Sequence, residues 1–167
     1  MTITDRIADL STIWKHVTMI FPYFDRCAFD WDQLYRKYLE QILVTEDEQE
    51  VHLLLAEFMN QLGDGHTAYD FPRELINRVG SLPFFLKYCD DGYYIAEIAE
   101  DYSKYLYSKI LQINGIPFDE ILQQAFRYIY HVENYAPLFP LNRVLPLFLR
   151  KNEVFFAISI KISASVS

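Results

Sequence analysis

Hydrophobic residues in the first third of the chain recur at three- and four-residue spacing, which is typical of amphipathic helices. The three apolar stripes lie at residues 7–17, 31–42 and 51–62. Thr45 is followed three residues later by Glu48, a capping-box pattern that predicts the start of the third helix. Gly63 follows the last apolar position, as is common after a helix C-terminus. We therefore predict a bundle of three helices over residues 1–72.

Beyond this segment the apolar positions form short runs, which favour β-strands. The predicted strands lie at residues 82–88, 93–98 and 109–114. Asp90-Asp91-Gly92 separates the first two and is typical of a hairpin turn, and Asn114-Gly115 marks a second tight turn. Asp119 is then the predicted N-cap of a helix reaching Tyr130. Together these elements predict a small α/β domain over residues 79–131.

The last part of the chain is less regular. We predict a helix within residues 136–149 and a strand at 153–160. The alternating residues 158–167 also read as a strand, and we expect it to have no partner within the chain. The predicted fold class is therefore α+β, with residues 132–167 as a connecting helix and a first strand of another domain.

Charge and composition exclude several classes of protein. The formal net charge is −8, from 15 basic and 23 acidic residues, without a basic cluster. Nucleic-acid binding is therefore not expected, because phosphate contacts need clustered Lys and Arg. There is no long apolar span and no secretory signal as written, so we expect no membrane partner and a cytoplasmic location, with export of a longer native form left open. Cys27 and Cys89 lack CxxC spacing and are expected to be reduced thiols.

Nucleophile and cofactor motifs are absent from the sequence. None of the five glycines lies beyond Gly115, and they do not form a phosphate-binding loop. None of the eight serines has the small neighbours that an oxyanion hole on a sharp turn requires. Asp64 and His66 are too few to supply three protein ligands to zinc, and there is no HExxH pattern. We therefore expect no metal, no cofactor and no serine nucleophile in these residues.

One segment does carry candidate chemistry. In Gly63-Asp64-Gly65-His66-Thr67, two glycines flank an aspartate and allow a tight turn directly after a helix. His66 would then emerge at the start of an extended segment, where an imidazole can act as a general base near neutral pH. By spacing alone, however, a single histidine in a turn is structural more often than catalytic. The other histidines fall within helical patterns and are interpreted as structural: His16, His52 and His131.

Two segments resemble one protein family. Leu62–Tyr69, LGDGHTAY, resembles the histidine-bearing segment of tail-specific, or C-terminal-processing, serine peptidases, above all their tricorn-core branch. Ser108–Phe118 is similar to the strand and Asn-Gly turn of the PDZ-like domain that follows in that family. The resemblance covers roughly residues 10–160 in the family's order. It implies a serine-type peptidase acting on peptides or proteins, with a PDZ-like domain at 79–131.

The resemblance also implies roles for individual residues. His66 matches the general base of the tricorn-core branch, whose serine nucleophile and orienting glutamate lie further along a longer chain. Gly65 stands where that branch has a serine, and other family members use a serine–lysine dyad instead. We therefore expect an N-terminal portion of a peptidase, inactive alone, whose catalytic domain is truncated after residues 132–167.

Two other hypotheses remain open. The chain could be a non-catalytic, PDZ-like module whose surface binds peptide termini, for which the candidate residues are Phe84, Phe85, Tyr93 and Tyr94. The same four residues are also typical of a small domain's core. Alternatively, the chain is a degenerate remnant without a function.

Overall fold

The computed structural model describes residues 1–80, 82–129, 141–142, 144–147 and, for the backbone, 160–163. The fold class is α+β, as predicted, and the chain forms two compact units, Met1–Phe71 and Pro72–Ser167. The α-helices are α1 (Ile3–Ile20), α2 (Trp31–Val44), α3 (Glu48–Asn60), α4 (Arg73–Val79) and α5 (Phe118–Ala125). Two 3₁₀ helices lie at Phe24–Arg26 and Glu100–Tyr105. The strands are β1 (Phe84–Cys89), β2 (Gly92–Ile98), β3 (Lys109–Ile113), β4 (Ile116–Pro117) and β5 (Ile160–Ser163).

The first unit is built from α1, α2 and α3, which pack against one another. Their apolar stripes meet in one core, where Leu10, Ile42 and Phe58 are completely buried. Trp31 stacks on Phe58 with ring centroids 4.2 Å apart and an interplanar angle of 11°. Burying two large aromatic side chains in this way makes a major contribution to the stability of the unit.

The start of α3 differs from the prediction. Its N-cap is Asp47, whose side chain accepts a hydrogen bond from the backbone N–H of Glu50. Thr45 instead ends α2, where its hydroxyl donates to the carbonyl oxygen of Gln41 at 2.8 Å. The capping-box interpretation of Thr45 was therefore wrong. A carboxylate is also favoured over a hydroxyl at the positive end of the helix dipole.

The exit from α3 uses a glycine beyond the helix itself. The helix ends at Asn60, and the N–H of Gly63 donates to the carbonyl oxygen of Asn60 at 3.1 Å. Gly63 has a φ of +63°, the left-handed region that glycine enters without steric cost. The chain therefore reverses directly before the candidate histidine segment.

The described strands of the second unit form one antiparallel sheet. β1 and β2 form the predicted hairpin across Asp90-Asp91, and β2 pairs with β3 at Tyr94 and Lys109. β3 turns into β4 through Asn114 and Gly115, whose φ values of +53° and +81° favour a type I′ turn. These hairpins confirm the strands and turns that the sequence predicted here.

The aromatic residues of β1 and β2 divide between the core and the surface. Phe84 and Tyr93 are buried, and Tyr93 meets Phe118 of α5 edge to face at 5.7 Å. Phe85, by contrast, is 52% exposed. The core interpretation therefore holds for Phe84 and Tyr93, and Phe85 lies on the surface.

The last strand has a partner, contrary to the prediction. β5 pairs antiparallel with β3, with Ile110 opposite Ile162 and Ile113 opposite Ile160. Residues 160–163 therefore extend the sheet of the second unit, because β3 offers them its backbone hydrogen-bonding groups. Residues 153–159 of the strand predicted at 153–160, and residues 164–167 beyond β5, lie outside the described residues.

Helices in the second unit were only partly predicted. Asp119 is not the N-cap of α5, because that helix begins at Phe118 directly after Pro117; Asp119 lies in the first turn instead. α4 and the 3₁₀ helix Glu100–Tyr105 were not predicted, because neither is long enough to display an apolar stripe.

Residues 141–142 and 144–147 are helical, and the rest of the helix predicted at 136–149, like His131, lies outside the described residues. No helix in the described ranges is both long and apolar enough to cross a membrane.

Gly92 should be difficult to replace. It has a φ of +145°, and a Cβ there would lie 2.6 Å from Cε of Lys109. That lysine is held by Asp91, which binds its Nζ through the backbone carbonyl and at 3.1 Å through the carboxylate. We expect Gly92→Ala to cost about 1–3 kcal/mol of stability, since strain and displacement of the lysine add together. Amide hydrogen exchange in β1 and β2 measures the loss.

Gly115→Ala is the matched control for Gly92→Ala. Gly115 also has a positive φ, +81°, but a Cβ there meets nothing within 4 Å. Gly115→Ala should therefore cost only the backbone strain of a positive φ, about 1 kcal/mol of stability. Equal losses in the two variants would show that the contact with Lys109 has no energetic consequence.

Candidate active site

The histidine-bearing segment is a hydrogen-bonded turn. The hydroxyl of Thr67 donates to Oδ2 of Asp64 at 2.6 Å, and the N–H of Thr67 donates to the carbonyl oxygen of Asp64 at 3.2 Å. Asp64 thus closes a turn over residues 64–67, which ties the chain on both sides of His66. Beyond the turn the chain is irregular up to α4, although the sequence had suggested an extended segment.

His66 projects from this turn into solvent. Its side chain is 99% exposed, and its Nδ1 lies 3.6 Å from Oδ1 of Asp64. That separation is longer than a hydrogen bond. It nevertheless places the carboxylate beside Nδ1, so that the other ring nitrogen, Nε2, can face a reacting group. Contacts of this kind in unliganded sites often tighten when substrate binds. His66 is therefore accessible and has a carboxylate neighbour, as a general base requires.

The carboxylate of Asp64 is stabilised in its ionised form. The hydrogen bond from Thr67 is the main cause that lowers the pKa of Asp64 below its ordinary value, against a smaller opposing effect of burial. The backbone N–H of His66 lowers this pKa further, with a smaller effect of the His66 side chain. Asp64 therefore carries its negative charge beside His66 throughout the neutral range.

The end of the segment is anchored on α3. Nδ1 of His52 and the hydroxyl of Tyr69 are 2.7 Å apart, and His52 is only 2% exposed. Tyr69 also meets Phe71 edge to face at 5.2 Å. Sequence analysis placed His52 correctly in a helix but could not predict this pairing, because the two residues are 17 positions apart and no spacing rule joins them.

An open cleft of about 620 Å³ lies beside His66. Its walls come from the connection between α1 and α2 and from the end of α3, all within the first unit. The lining residues include Tyr23, Arg26, Phe29, Gln61, Asp64 and His66. Of these, only Asp64 and His66 were singled out from the sequence, because the connection between α1 and α2 carries no motif.

A smaller cavity of about 280 Å³ adjoins this cleft. The two share Phe21, Tyr23 and Asp64. Most of the other residues around the smaller cavity are apolar, among them Ile13, Val17, Ile20 and Met59. The surface near His66 thus combines an open polar cleft with an apolar recess.

None of the described residues that line the cleft beside His66 is a serine. Ser108 is 2% exposed and Ser11 is bonded to Tyr35, so neither is placed to react there. Within the described ranges, no three His, Cys, Asp or Glu side chains are grouped so that they could hold a metal ion.

Solved structures of serine proteases share the fold of this chain. Three of them are structures of CPAF, a chlamydial serine protease that is similar to tail-specific proteases. Mature CPAF is 18% identical with a TM-score of 0.59, covering 86% of this chain and 28% of the CPAF chain. A serine-to-alanine mutant gives 18% and 0.58, and the complex of mature CPAF with lactacystin gives 17% and 0.59.

These comparisons define the extent of the likeness. The chain spans little more than a quarter of the CPAF chain, so it corresponds to one part of that protease. No protein-family model matches the sequence, and the search of curated proteins found no match. At this level of identity the shared property is the fold.

Thr67→Val should raise the pKa of Asp64 toward its ordinary value of 3.8, because the variant removes the main hydrogen bond that lowers it. A lowered carboxyl pKa adds stability that is present above the unfolded-state value and is lost as the pH falls through the folded-state value. As the pH falls below about 3.9, the native chain should therefore lose stability at the turn, and Thr67→Val should lose a smaller amount. Carboxyl ¹³C shifts of Asp64 between pH 6 and pH 2 measure the midpoint.

Thr18→Val is the matched control for Thr67→Val. Its hydroxyl also makes one hydrogen bond, to the carbonyl oxygen of Trp14, but it has no contact with Asp64. The midpoint of Asp64 should stay unchanged in this variant. An unchanged midpoint in Thr67→Val as well would show that the threonine does not hold the carboxylate.

Tyr69→Phe should cost the first unit about 1–2 kcal/mol, because it removes the hydroxyl bound to buried His52. Burial is the main cause that raises the pKa of Tyr69 above 10.0. The native hydroxyl thus adds stability below about pH 10, which is lost as the pH rises further, because the unfolded chain releases the proton first. Urea unfolding followed by Trp14 and Trp31 fluorescence at pH 7 and pH 11 tests both effects.

Tyr35→Phe provides the control for the tyrosine hydroxyl. The hydroxyl of Tyr35 is 3.0 Å from that of Ser11, at a half-buried position. Water can replace this bond, so we expect a loss below about 1 kcal/mol. If Tyr35→Phe is as destabilising as Tyr69→Phe, the pairing with His52 has no special role in holding the segment.

Proposed function

We propose that this chain is the N-terminal part of a serine protease of the tail-specific type, in which His66 is the general base. The observation that carries the proposal is the position of His66, fully exposed beside an open cleft with a carboxylate at 3.6 Å. The fold shared with CPAF and the LGDGHTAY resemblance support the same reaction class.

The proposed chemistry is acyl transfer from a peptide bond to a serine. Nε2 of His66 would accept the proton of the serine hydroxyl as its oxygen attacks the scissile carbonyl carbon. The imidazolium formed in this step would be stabilised by the negative charge of Asp64 next to Nδ1. His66 would then donate the same proton to the leaving amine, which closes the proton cycle of the first half-reaction.

The nucleophile would come from a segment outside these 167 residues. The sequence offers no serine on a glycine-rich turn, and the chain corresponds to about 28% of mature CPAF. We therefore propose that the chain alone does not hydrolyse peptides. The tricorn-like scheme, in which the histidine is essential, is favoured over a serine–lysine dyad because His66 is exposed at a cleft rather than packed in a core.

The second unit would contribute peptide docking. β3, the Asn114-Gly115 turn, β4 and α5 follow one another in the order that the PDZ-like resemblance implies. A substrate segment would add to the sheet as an extra strand, with main-chain hydrogen bonds supplying much of the affinity. In this proposal residues 79–131 form the docking domain, and residues 132–167 lead toward the catalytic domain.

A non-catalytic peptide-binding module is the second candidate. The observation that favours it is Phe85, which is 52% exposed on β1 and offers an apolar contact next to a sheet edge. Such a module would bind peptides without any dependence on His66, so the experiment below separates the two functions.

The test begins with the reading frame beyond Ser167. We expect an in-frame serine on a glycine-rich turn, and we expect the longer polypeptide to cleave a quenched fluorescent protein substrate. His66→Ala should lower kcat/KM by about 10³-fold or more, because a serine without its base is a poor nucleophile. Folding should be unaffected, since the His66 side chain has no packing contacts to lose.

His16→Ala serves as the matched control, because His16 is an exposed histidine of α1 that borders the smaller apolar cavity and does not line the cleft beside His66. It should leave kcat/KM within about twofold of the parent. Full activity of His66→Ala would exclude a catalytic role and favour a serine–lysine scheme. A stop codon with no such serine in any frame would remove the peptidase proposal for this chain.

A further inference from the structure

Arg26 is a cation on the wall of the cleft that contains His66. Its guanidinium lies over the ring of Tyr23, with Cζ 4.8 Å from the ring centroid. It makes no hydrogen bond or ion pair with any side chain in the described part of the chain. Its N–H donors are therefore available to a ligand, while the tyrosine ring restricts where the guanidinium can lie.

The backbone that carries Arg26 is well anchored. The N–H of Arg26 donates to the carbonyl oxygen of Tyr23 at 3.0 Å, and Sγ of Cys27 contacts the same oxygen at 3.6 Å. On the inner side, Phe24 packs against Phe21 and Trp31 with centroids 5.3 and 6.0 Å apart. The short 3₁₀ helix thus rests on the aromatic core of the first unit, which lowers the entropic cost of using Arg26 for binding.

The other charges of the cleft do not compete for Arg26. The carboxylate of Asp64 is bound by Thr67 at 2.6 Å and faces His66 at 3.6 Å. The chain as a whole has a formal net charge of −8, so its overall charge does not attract anions to Arg26. An anion that binds here must be recognised locally, within about one Debye length of Arg26.

We propose that Arg26 binds a carboxylate of the peptide that occupies the cleft and so determines specificity. Arginine presents paired N–H groups that match the two oxygens of a carboxylate. The exposed ring of Tyr23 and the half-buried Phe29 line the same cleft and offer apolar contacts to the rest of the peptide. The inference rests on the proposed function for the identity of the ligand, a peptide, but binding requires no nucleophile.

The experiment measures peptide binding to the 167-residue chain by ¹H–¹⁵N correlation spectra in about 0.15 M salt. The probes are blocked pentapeptides, acetylated and amidated, with glutamate or glutamine at the central position and alanine elsewhere. A third probe is acetylated penta-alanine with a free carboxyl terminus. These arms separate a side-chain carboxylate from a terminal one, while the shared chemistry stays the same.

We expect at least one carboxylate probe to bind about three- to tenfold more tightly than the glutamine peptide, as for one exposed, charge-assisted bidentate contact. Arg26→Gln should remove this difference. Arg26→Lys should restore only part of it, because lysine keeps the charge but loses the paired donors. The largest shifts should fall on amides of residues 23–29 and 61–66.

Arg36→Gln is the matched control, because Arg36 is an exposed arginine of α2 outside the cleft. It changes the net charge by the same amount and should leave the preference unchanged. Equal binding of all three probes would overturn the proposal, and so would an equal loss in Arg36→Gln. If the longer polypeptide has no peptidase activity but Arg26-dependent peptide binding is observed, the proposed function is refuted and the inference about Arg26 stands.

Discussion

The stacking of Trp31 on Phe58 is the contact on which the first unit depends. It joins the first residue of α2 to the last turn of α3, at a centroid distance of 4.2 Å within a fully buried core. The two walls of the candidate cleft adjoin these two residues. The 3₁₀ helix Phe24–Arg26 leads into Trp31, and the histidine turn follows α3 shortly after Phe58. The aromatic pair therefore sets the distance between the two walls of the cleft, because close-packed cores deform little.

The histidine segment is held at both ends and free in the middle. Asp64 and Thr67 close the turn, and Tyr69 is fastened to buried His52 at 2.7 Å. Between these anchors His66 is almost completely exposed. This arrangement suits a general base, because the backbone is fixed while the imidazole remains accessible to a partner group.

The relation to CPAF and the composition of the cleft complement each other. The shared fold covers 86% of this chain but little more than a quarter of the protease. Among the described residues, the cleft contains an exposed histidine, a carboxylate beside it and an arginine without a carboxylate partner, and none of its lining residues is a serine. Under the proposed function, this chain would provide the proton-transfer and substrate-binding part of a larger site, which further residues would complete.

The sequence by itself determined the local elements. Apolar spacing located α1, α2 and α3, and the dipeptide Asn114-Gly115 located the turn after β3, because helices and tight turns depend on neighbours within a few residues. The motif also singled out His66. The pairing of β5 with β3, the His52–Tyr69 bond and the meeting of Arg26 with His66 at one cleft were decided only by the tertiary structure. Each of them joins residues far apart in the chain, and no local pattern encodes which distant surfaces will be packed together.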